Sequence, residues 1–519
     1  MADANGLPLM LGLDLGTTGA RAGVIDSSGR VLSSAFEEYG TSTPRPGWAE
    51  QEPADWWGAS AAAIRSAVGK SGARASDIRG VGVSGQMHGS VLLDAGLDAV
   101  APCIIWCDQR ASAQCERITR EVGNETLAEL AGNRALPGFT APKILWMMEH
   151  EPGTFARVRH IMLPKDYINL QLTGALGTDA SDASGTLLFD IRQRAWSDGM
   201  LDWLHIEREW LPDVLESPEP LGSVTPEASS ATGLAAGTPV AAGGADNACS
   251  AIGMGVVGEG LMAVSTGSSG TVLAPTGSPR VDEQMLLHSF CHAVPGTWYL
   301  MGVMLSAGLS LSWFRDELGE PEAGEAARAG RDPYQLLDET ATQAPPGCEG
   351  LVFLPYLTGE RTPHPDPDAR GVLYGIDLTK KRAHVVRAVM EGVVFGLADS
   401  VSLMLETGVE MHSVVSGGGG SRSELWRRMQ ADVFGMPIAA AGEPESAMLG
   451  AALLGGVAGG VFEDVAQACA NAVNNDEPIE PDPETREAYS SSYDTFRRLY
   501  PALRPIWSSE RPEREGPGL

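Results

Sequence analysis

The chain has 519 residues, well above the ~100–200 of one domain, so at least two domains are expected. Its 67 acidic residues against 37 Lys and Arg give a net charge of −30; a surface of that sign repels nucleic acid and anionic lipid, which need basic patches. Hydrophobic residues at 43% and charged residues at 20% are an ordinary globular balance, which excludes a collagen-like or wholly disordered chain.

In chain order, residues 9–14 are predicted as a strand. Asp14 interrupts its apolar run and no basic segment precedes it, so it does not read as a signal peptide. Gly16-Thr17-Thr18-Gly19 turns, residues 20–26 return, and residues 31–36 form a third strand after Ser27-Ser28-Gly29. Pro53 opens a helix with Trp57, Ala61, Ile64 and Val68 on one face. Residues 81–84 are a short buried strand ending at Gly85-Gln86-Met87-His88-Gly89, and Val240-Ala241-Ala242 is another, ending at Gly243-Gly244-Ala245-Asp246-Asn247. The second half repeats the order: a strand at 261–265, a turn at Thr266-Gly267-Ser268-Ser269-Gly270, and a return strand at 271–274. A long helix over about 384–406 and a strand at 414–416 leading into Gly417 to Gly420 follow. The repetition hints at duplication and predicts domains over 7–256 and 257–507, with a disordered Pro-, Glu-, Arg- and Gly-rich tail over 508–519.

The apolar run 447–462 is shorter than the ~20 residues of a membrane helix, and its Gly and Ala pairs suit close packing, so it reads as a buried helix and turn. The seven cysteines are odd in number and form no CxxC pair, which points to reduced thiols in a cytoplasmic protein.

Asp14-Leu15-Gly16-Thr17-Thr18-Gly19 can aim backbone N–H groups and two hydroxyls at one concave spot, which suits phosphate. Asp14 is placed to hold Mg²⁺ through water, since that ion keeps much of its hydration, and Arg21 can reach the same place. A plain hairpin turn is the competing reading. Thr266, Gly267 and Ser268 offer the same chemistry in the second half, so two turns can clamp one polyphosphate; no GxxxxGK[ST] loop occurs. Gly418, Gly419 and Gly420 end a strand ahead of an expected capping box from Ser421 to Glu424. Bare backbone there suits a flat ring or an anion.

Two GxGxxG matches, at 80–85 and 253–258, lack the strand–glycine–helix order of a dinucleotide fold. His288 and His292 have zinc spacing for a helix, but 287–294 reads as a strand, so both are expected to be structural. Asp246 can take a proton from a substrate hydroxyl or cap the next helix, and both readings stand on these residues alone.

Together these motifs resemble the FGGY family of carbohydrate kinases over about residues 9–500. The resemblance rests on Gly138-Phe139-Thr140-Ala141-Pro142-Lys143-Ile144-Leu145-Trp146 and on Gly371, Gly375, Ile376, His384 and Glu391. Gly85-Gln86-Met87-His88-Gly89 and the stretch 354–364 (LPYLTGERTPH) are similar to the branch acting on D-xylulose. The resemblance implies an α/β fold: two actin-like, ribonuclease-H-like ATPase domains around a cleft. It implies ATP, Mg²⁺ and transfer of the γ-phosphate to the 5-hydroxyl of D-xylulose. By the same resemblance Asp246 is the catalytic base, and Met87, His88, Asp246 and Asn247 bind the sugar. Asp14, Thr17, Thr18 and Arg21 form the first phosphate loop, Thr266, Gly267 and Ser268 the second, and Gly418 to Gly420 face the adenosine.

Cys107 stands where the family often has a polar residue. The implied partners are a small sugar and ATP, without nucleic acid or membrane, and a homodimer fits the picture. The alternatives are a kinase for ribulose, glycerol or another polyol, or a non-catalytic actin-like ATPase switch. Met87-His88 argues against glycerol, whose kinases typically carry an Arg-Glu pair in that loop.

Overall fold

The computed structural model describes residues 6–509. Three antiparallel strands open the chain: β1 (Leu9–Leu15), β2 (Gly19–Asp26) and β3 (Val31–Glu38). Helix α1 (Pro53–Ser71) crosses over, β4 (Ile78–Gly85) returns parallel to β1, and β5 (Pro239–Ala241) lies parallel to β4. Helix α2 (Asp246–Gly253) then leads to the second sheet. There β6 (Gly260–Thr266), β7 (Gly270–Thr276), β8 (His288–Cys291) and β9 (Trp298–Met304) are joined by β10 (Met411–Gly417) and β11 (Ile438–Ala440). The first sheet runs β5-β4-β1-β2-β3, with the strand Pro220–Ser223 outside β5, and the second runs β11-β10-β6-β7-β9-β8; the five strands from β5 to β3 and from β11 to β9 match in their parallel and antiparallel pairings. The duplication hinted at by two glycine turns is therefore a repeated topology.

Sheet alternation explains the first core. Leu9, Leu11, Leu13, Val81 and Val83 point to one face, where they bury against Trp56 and Ile64 of α1. The inward residue of α1 is thus Trp56, not Trp57 as the periodicity predicts; its indole Nε1 donates to Gln51 Oε1 at 3.0 Å. The opposite face presents Gly12, Gly80 and Gly82. Helix α5 (Ser446–Ala458) lies directly on them (α3 is Gly308–Glu317 and α4 is Arg382–Glu406). A Cβ on Gly82 would sit 1.8 Å from the Ala451 carbonyl oxygen, and one on Gly12 2.0 Å from that of Met448. At these three glycines backbone meets backbone, while Met10 and Met448 fill the space beside them. Helix α5 also meets α2, where a Cβ on Gly450 would fall 1.9 Å from the Cys249 carbonyl oxygen. A helix from the second half of the chain is thereby packed on the first sheet.

Helix α4 is long and apolar enough to cross a membrane by length and composition, and most of it is buried against the second sheet. The run expected as a buried helix and turn is the shorter apolar helix α5, ten of whose residues are buried. The seven cysteines are free, six of them buried. His288 begins strand β8, Nδ1 facing Asn133 Oδ1, and His292 Nε2 faces the Val256 carbonyl, so both are structural. Ser508 and Ser509 continue the final helix (Pro483–Ser509), against the expected disorder, and 510–519 lie outside the described residues.

Candidate active site

The strand register sets the site. Ser84 on β4 lies between Asp14 on β1 and Gly244 on the short strand ahead of α2. Asp14 and Asp246 thus stand on strand ends either side of β4, about two strand spacings or ~10 Å apart in backbone. Ser84 Oγ donates to Asp14 Oδ1 at 2.9 Å. Burial raises the Asp14 carboxyl above its ordinary range, the Ser84 bond opposes this, and Glu445 adds to it. Asp246 is the first residue of α2. Burial, then repulsion from Asp14, pushes its carboxyl up to about 7. The Asn247 backbone N–H and side-chain amide donate to Asp246 Oδ1 at 2.7 and 2.9 Å and work against that rise.

If this carboxylate is the acceptor for a substrate proton, kcat/KM should climb with slope one through about pH 7 and flatten above it. An acid limb near pH 4, measured on the free enzyme, would show that burial and Asp14 do not act on the reactive group.

Met87 and His88 follow β4. Met87 Sδ is 3.9 Å from Asn247 Nδ2, which brings this loop to Asp246. His88 holds a positive φ of 71°. Burial keeps its imidazole neutral, down to about 3. Its Nδ1 lies 2.6 Å from the Gly185 carbonyl, so Nδ1 carries the hydrogen and Nε2 is left as an acceptor. Phe139 lies 4.6 Å from the imidazole and Phe290, from the second half, 6.1 Å. If His88 Nε2 accepts from a substrate hydroxyl, His88→Ala should raise that substrate's KM by a cost of about 1–3 kcal/mol, because the hydroxyl loses its acceptor. An unchanged KM would remove this imidazole from contact with the substrate.

Sequence reasoning left out the supports of this loop. Lys143 Nζ and Thr140 Oγ1 both donate to the His88 carbonyl at 3.0 Å. Burial lowers Lys143 to about 8. Both lie in the stretch 138–146 noted for its resemblance, but nothing in a helical pattern marks a lysine that points inward. Gln51 ties the loops together: its amide donates to the Thr17 carbonyl at 2.7 Å and accepts from Gln86 Nε2 at 2.8 Å. Trp106 Nε1 donates to Thr17 Oγ1 at 2.9 Å, and its ring remains 37% exposed. Thr18 is exposed and its carbonyl accepts from Tyr39. Arg21 is engaged by Glu445 at 3.1 Å and lies over Phe36, so its guanidinium is directed to the second half of the chain.

The second turn faces a cavity of about 510 Å³ lined by Thr266, Gly267, Ser268, Leu311, Gly420 and Trp426, a volume suited to a nucleoside. The Gly267 and Ser268 carbonyls accept from Gly308, Ala307 and Leu309 at the start of α3. The Thr266 hydroxyl is buried without a partner. Gly418 takes φ 75°, and a Cβ on it would lie 2.9 Å from the Thr266 carbonyl, so the two turns meet through backbone. A second cavity of about 520 Å³ runs along Gly417, Gly418 and Gly419 to Glu445.

The expected capping box is displaced. Ser423, not Ser421, caps helix Glu424–Phe434 by accepting from the Trp426 N–H, while Ser421 Oγ turns back to the Gly418 carbonyl. The short 3₁₀ turn Gly419–Arg422 moves the helix start by two residues. Asp338, on helix Pro333–Ala341, also lines the first cavity, and burial raises it to about 6. No motif announced it.

Among the described residues no group of three or more His, Cys, Asp or Glu could hold a metal. One half-buried carboxylate, Asp14, accepting from Ser84 through Oδ1, fits an ion held mainly by phosphate oxygens and water.

Residues 9–253 match the N-terminal domain, and residues 262–459 the C-terminal domain, of the FGGY family of carbohydrate kinases. The chain is 37% identical to a xylulose kinase of Bacillus subtilis over 95% of its length and 96% of the relative's. It is 37% identical to one of Escherichia coli over 96% of its length and all of the relative's. The crystal structure of a xyloylose kinase from Brucella ovis covers 96% of this chain and 100% of that chain, with a TM-score of 0.87 and 37% identity.

Proposed function

Since the chain belongs to the FGGY family of carbohydrate kinases, we propose that it phosphorylates D-xylulose at the 5-hydroxyl with ATP, giving D-xylulose 5-phosphate and ADP. The observation that carries this reading is Asp246: a half-buried carboxylate raised to about 7, beside the Met87–His88 loop and across β4 from the Asp14 turn. The xylulose kinases above, similar over nearly their whole length, support the sugar.

The sugar lies against Met87, His88 and Asn247 with its 5-hydroxyl on Asp246. The hydroxyl oxygen bonds to the γ-phosphorus as its proton passes to the Asp246 carboxylate. The bond from that phosphorus to the β,γ-bridging oxygen breaks, and ADP leaves with the electron pair. Asp14, Thr17 and the N–H groups of the first turn face the phosphates from one side, Thr266, Gly267 and Ser268 from the other, and Gly418 to Gly420 border the adenosine. Mg²⁺, when bound near Asp14, supplies charge neutralisation for the transferred phosphoryl group.

Sugar-dependent ADP release across pentuloses and polyols tests the reading. D-xylulose should give the highest kcat/KM. A higher value for ribulose or glycerol overturns the substrate, and turnover independent of any sugar overturns the kinase.

The two phosphate loops belong to different sheets, so neither surrounds the γ-phosphate alone. Sugar should therefore close the cleft before transfer, keeping water out. Small-angle scattering should show a smaller radius of gyration with D-xylulose and a nonhydrolysable ATP analogue. A sugar lacking the 5-hydroxyl should close the cleft and raise ATP hydrolysis. An unchanged radius together with unchanged hydrolysis would sink closure while leaving the kinase standing.

A further inference from the structure

The charged groups beneath Asp246 have no part in that scheme. Lys165, on helix Pro164–Thr173, and Asp179 are both 0% exposed, with Nζ 3.2 Å from Oδ1. Lys165 also reaches Asp166 Oδ1 at 2.6 Å and donates to the Ala242 carbonyl at 3.0 Å. Burial by itself would lower this lysine; Asp166, Asp179 and Asp182 outweigh it and hold the ammonium charged.

Asp179 Oδ2 accepts from Ser181 Oγ at 2.5 Å. With its hydrogen committed there, Ser181 Oγ in turn accepts from the Ala245 N–H at 3.0 Å. Asp179 Oδ2 also accepts from Ser217 Oγ at 2.7 Å, and the Ser217 carbonyl takes the Gly243 N–H at 3.1 Å. Three of the four residues 242–245 are thus held from below, and the next residue is Asp246.

The lysine stem is equally placed. A Cβ on Gly243 would lie 3.1 Å from Lys165 Cδ, and one on Gly85 2.9 Å from Lys165 Cβ. One side chain therefore underlies the strand ends that deliver Asp246 and the Met87–His88 loop. Buried ion pairs are poor stabilisers, since apolar side chains of similar volume usually serve as well or better. Position is a better account of this cluster than stability.

We propose that Lys165, Asp179 and Ser181 are positioning residues that clamp 242–245 at both ends and so aim Asp246 at the sugar hydroxyl. The proposal rests on the reading of Asp246 as the base.

The test is Ser181→Ala, made alone and together with Asp246→Asn in the full-length enzyme. Ser181→Ala removes only the hydroxyl that joins Asp179 to the Ala245 N–H. It should lower kcat on D-xylulose by ~10–100-fold, the scale of a slightly misplaced catalytic group, with KM for ATP and for sugar within about threefold. In the Asp246→Asn background the same change should alter the residual kcat by less than about twofold, because no base is left to aim. Wild-type kcat in Ser181→Ala, or an equal loss in both backgrounds, overturns the clamp. Near wild-type kcat in Asp246→Asn alone overturns the base itself, a separate result. If Lys165→Ala folds, n-propylammonium, which returns the charge and fills the space, should restore at least about fivefold of kcat at constant KM. A folded Lys165→Ala enzyme with full kcat also overturns the clamp.

Discussion

Asp246→Ala should lower kcat on D-xylulose by ~10²–10⁴, the usual contribution of a general base, or roughly 3–5 kcal/mol of barrier. Nucleotide affinity should barely change, because the cavity of about 510 Å³ proposed to hold the nucleotide is lined from the second half of the chain. Near wild-type kcat would remove Asp246 from this role. The same residue carries a stability consequence of fixed sign. Its carboxyl is raised from 3.8 to about 7 in the folded state, so the folded state holds the extra proton between those values. Stability then falls as pH rises through that window. Asp246→Asn, neutral throughout and close in shape, should be more stable than the parent at pH 8, by roughly 1–3 kcal/mol, with the difference vanishing at about pH 4. Urea unfolding at the two pH values measures it; a less stable Asn variant at pH 8 would show that the carboxylate is better solvated than its surroundings imply.

Gly82→Val should cost about 3 kcal/mol or more and separate α5 from the first sheet. The new Cβ would meet the Ala451 carbonyl oxygen at 1.8 Å, and neither partner is a side chain that can swing away. Gly12 and Gly80, on the same face, leave no slack to either side. Displacing α5 also moves the chain at Glu445, which pairs with Arg21, so the geometry of the turn after Asp14 should suffer with stability. Gly69→Ala is the control. It lies on the exposed face of α1 with no heavy atom within 4 Å of the added Cβ, and should stabilise by about 0.5–1 kcal/mol. Chemical denaturation of both variants decides the matter, and a Gly82→Val enzyme as stable as the parent would mean that α5 does not rest on this face.

The sequence alone carried the strands, since apolar alternation and glycine turns are local: β1, β2, β4, β6, β7 and β10 fall within a few residues of their expected positions. It also carried Asp14, Met87, His88, Asp246 and Asn247 as a group, through the resemblance to a family and not through spacing. Local pattern was weaker where two faces of a helix are both apolar: Trp57 was expected inward where Trp56 is buried. It also failed at Ser421, where a 3₁₀ turn resets the helix start.

Only the tertiary structure decided that Asp14 and Asp246 flank the same strand, because strand register joins residues more than two hundred positions apart. The Asp246 carboxyl owes its rise to burial first and to that neighbour second, neither of which a sequence states. The structure also turned Lys143 and Lys165 inward, and a lysine's burial is decided by carbonyls and carboxylates that distant segments bring to it. Glycines at 12, 80 and 82 read locally as weak strand residues. Their purpose, contact with a helix over three hundred and fifty residues away, exists only once the chain has folded back on its first sheet.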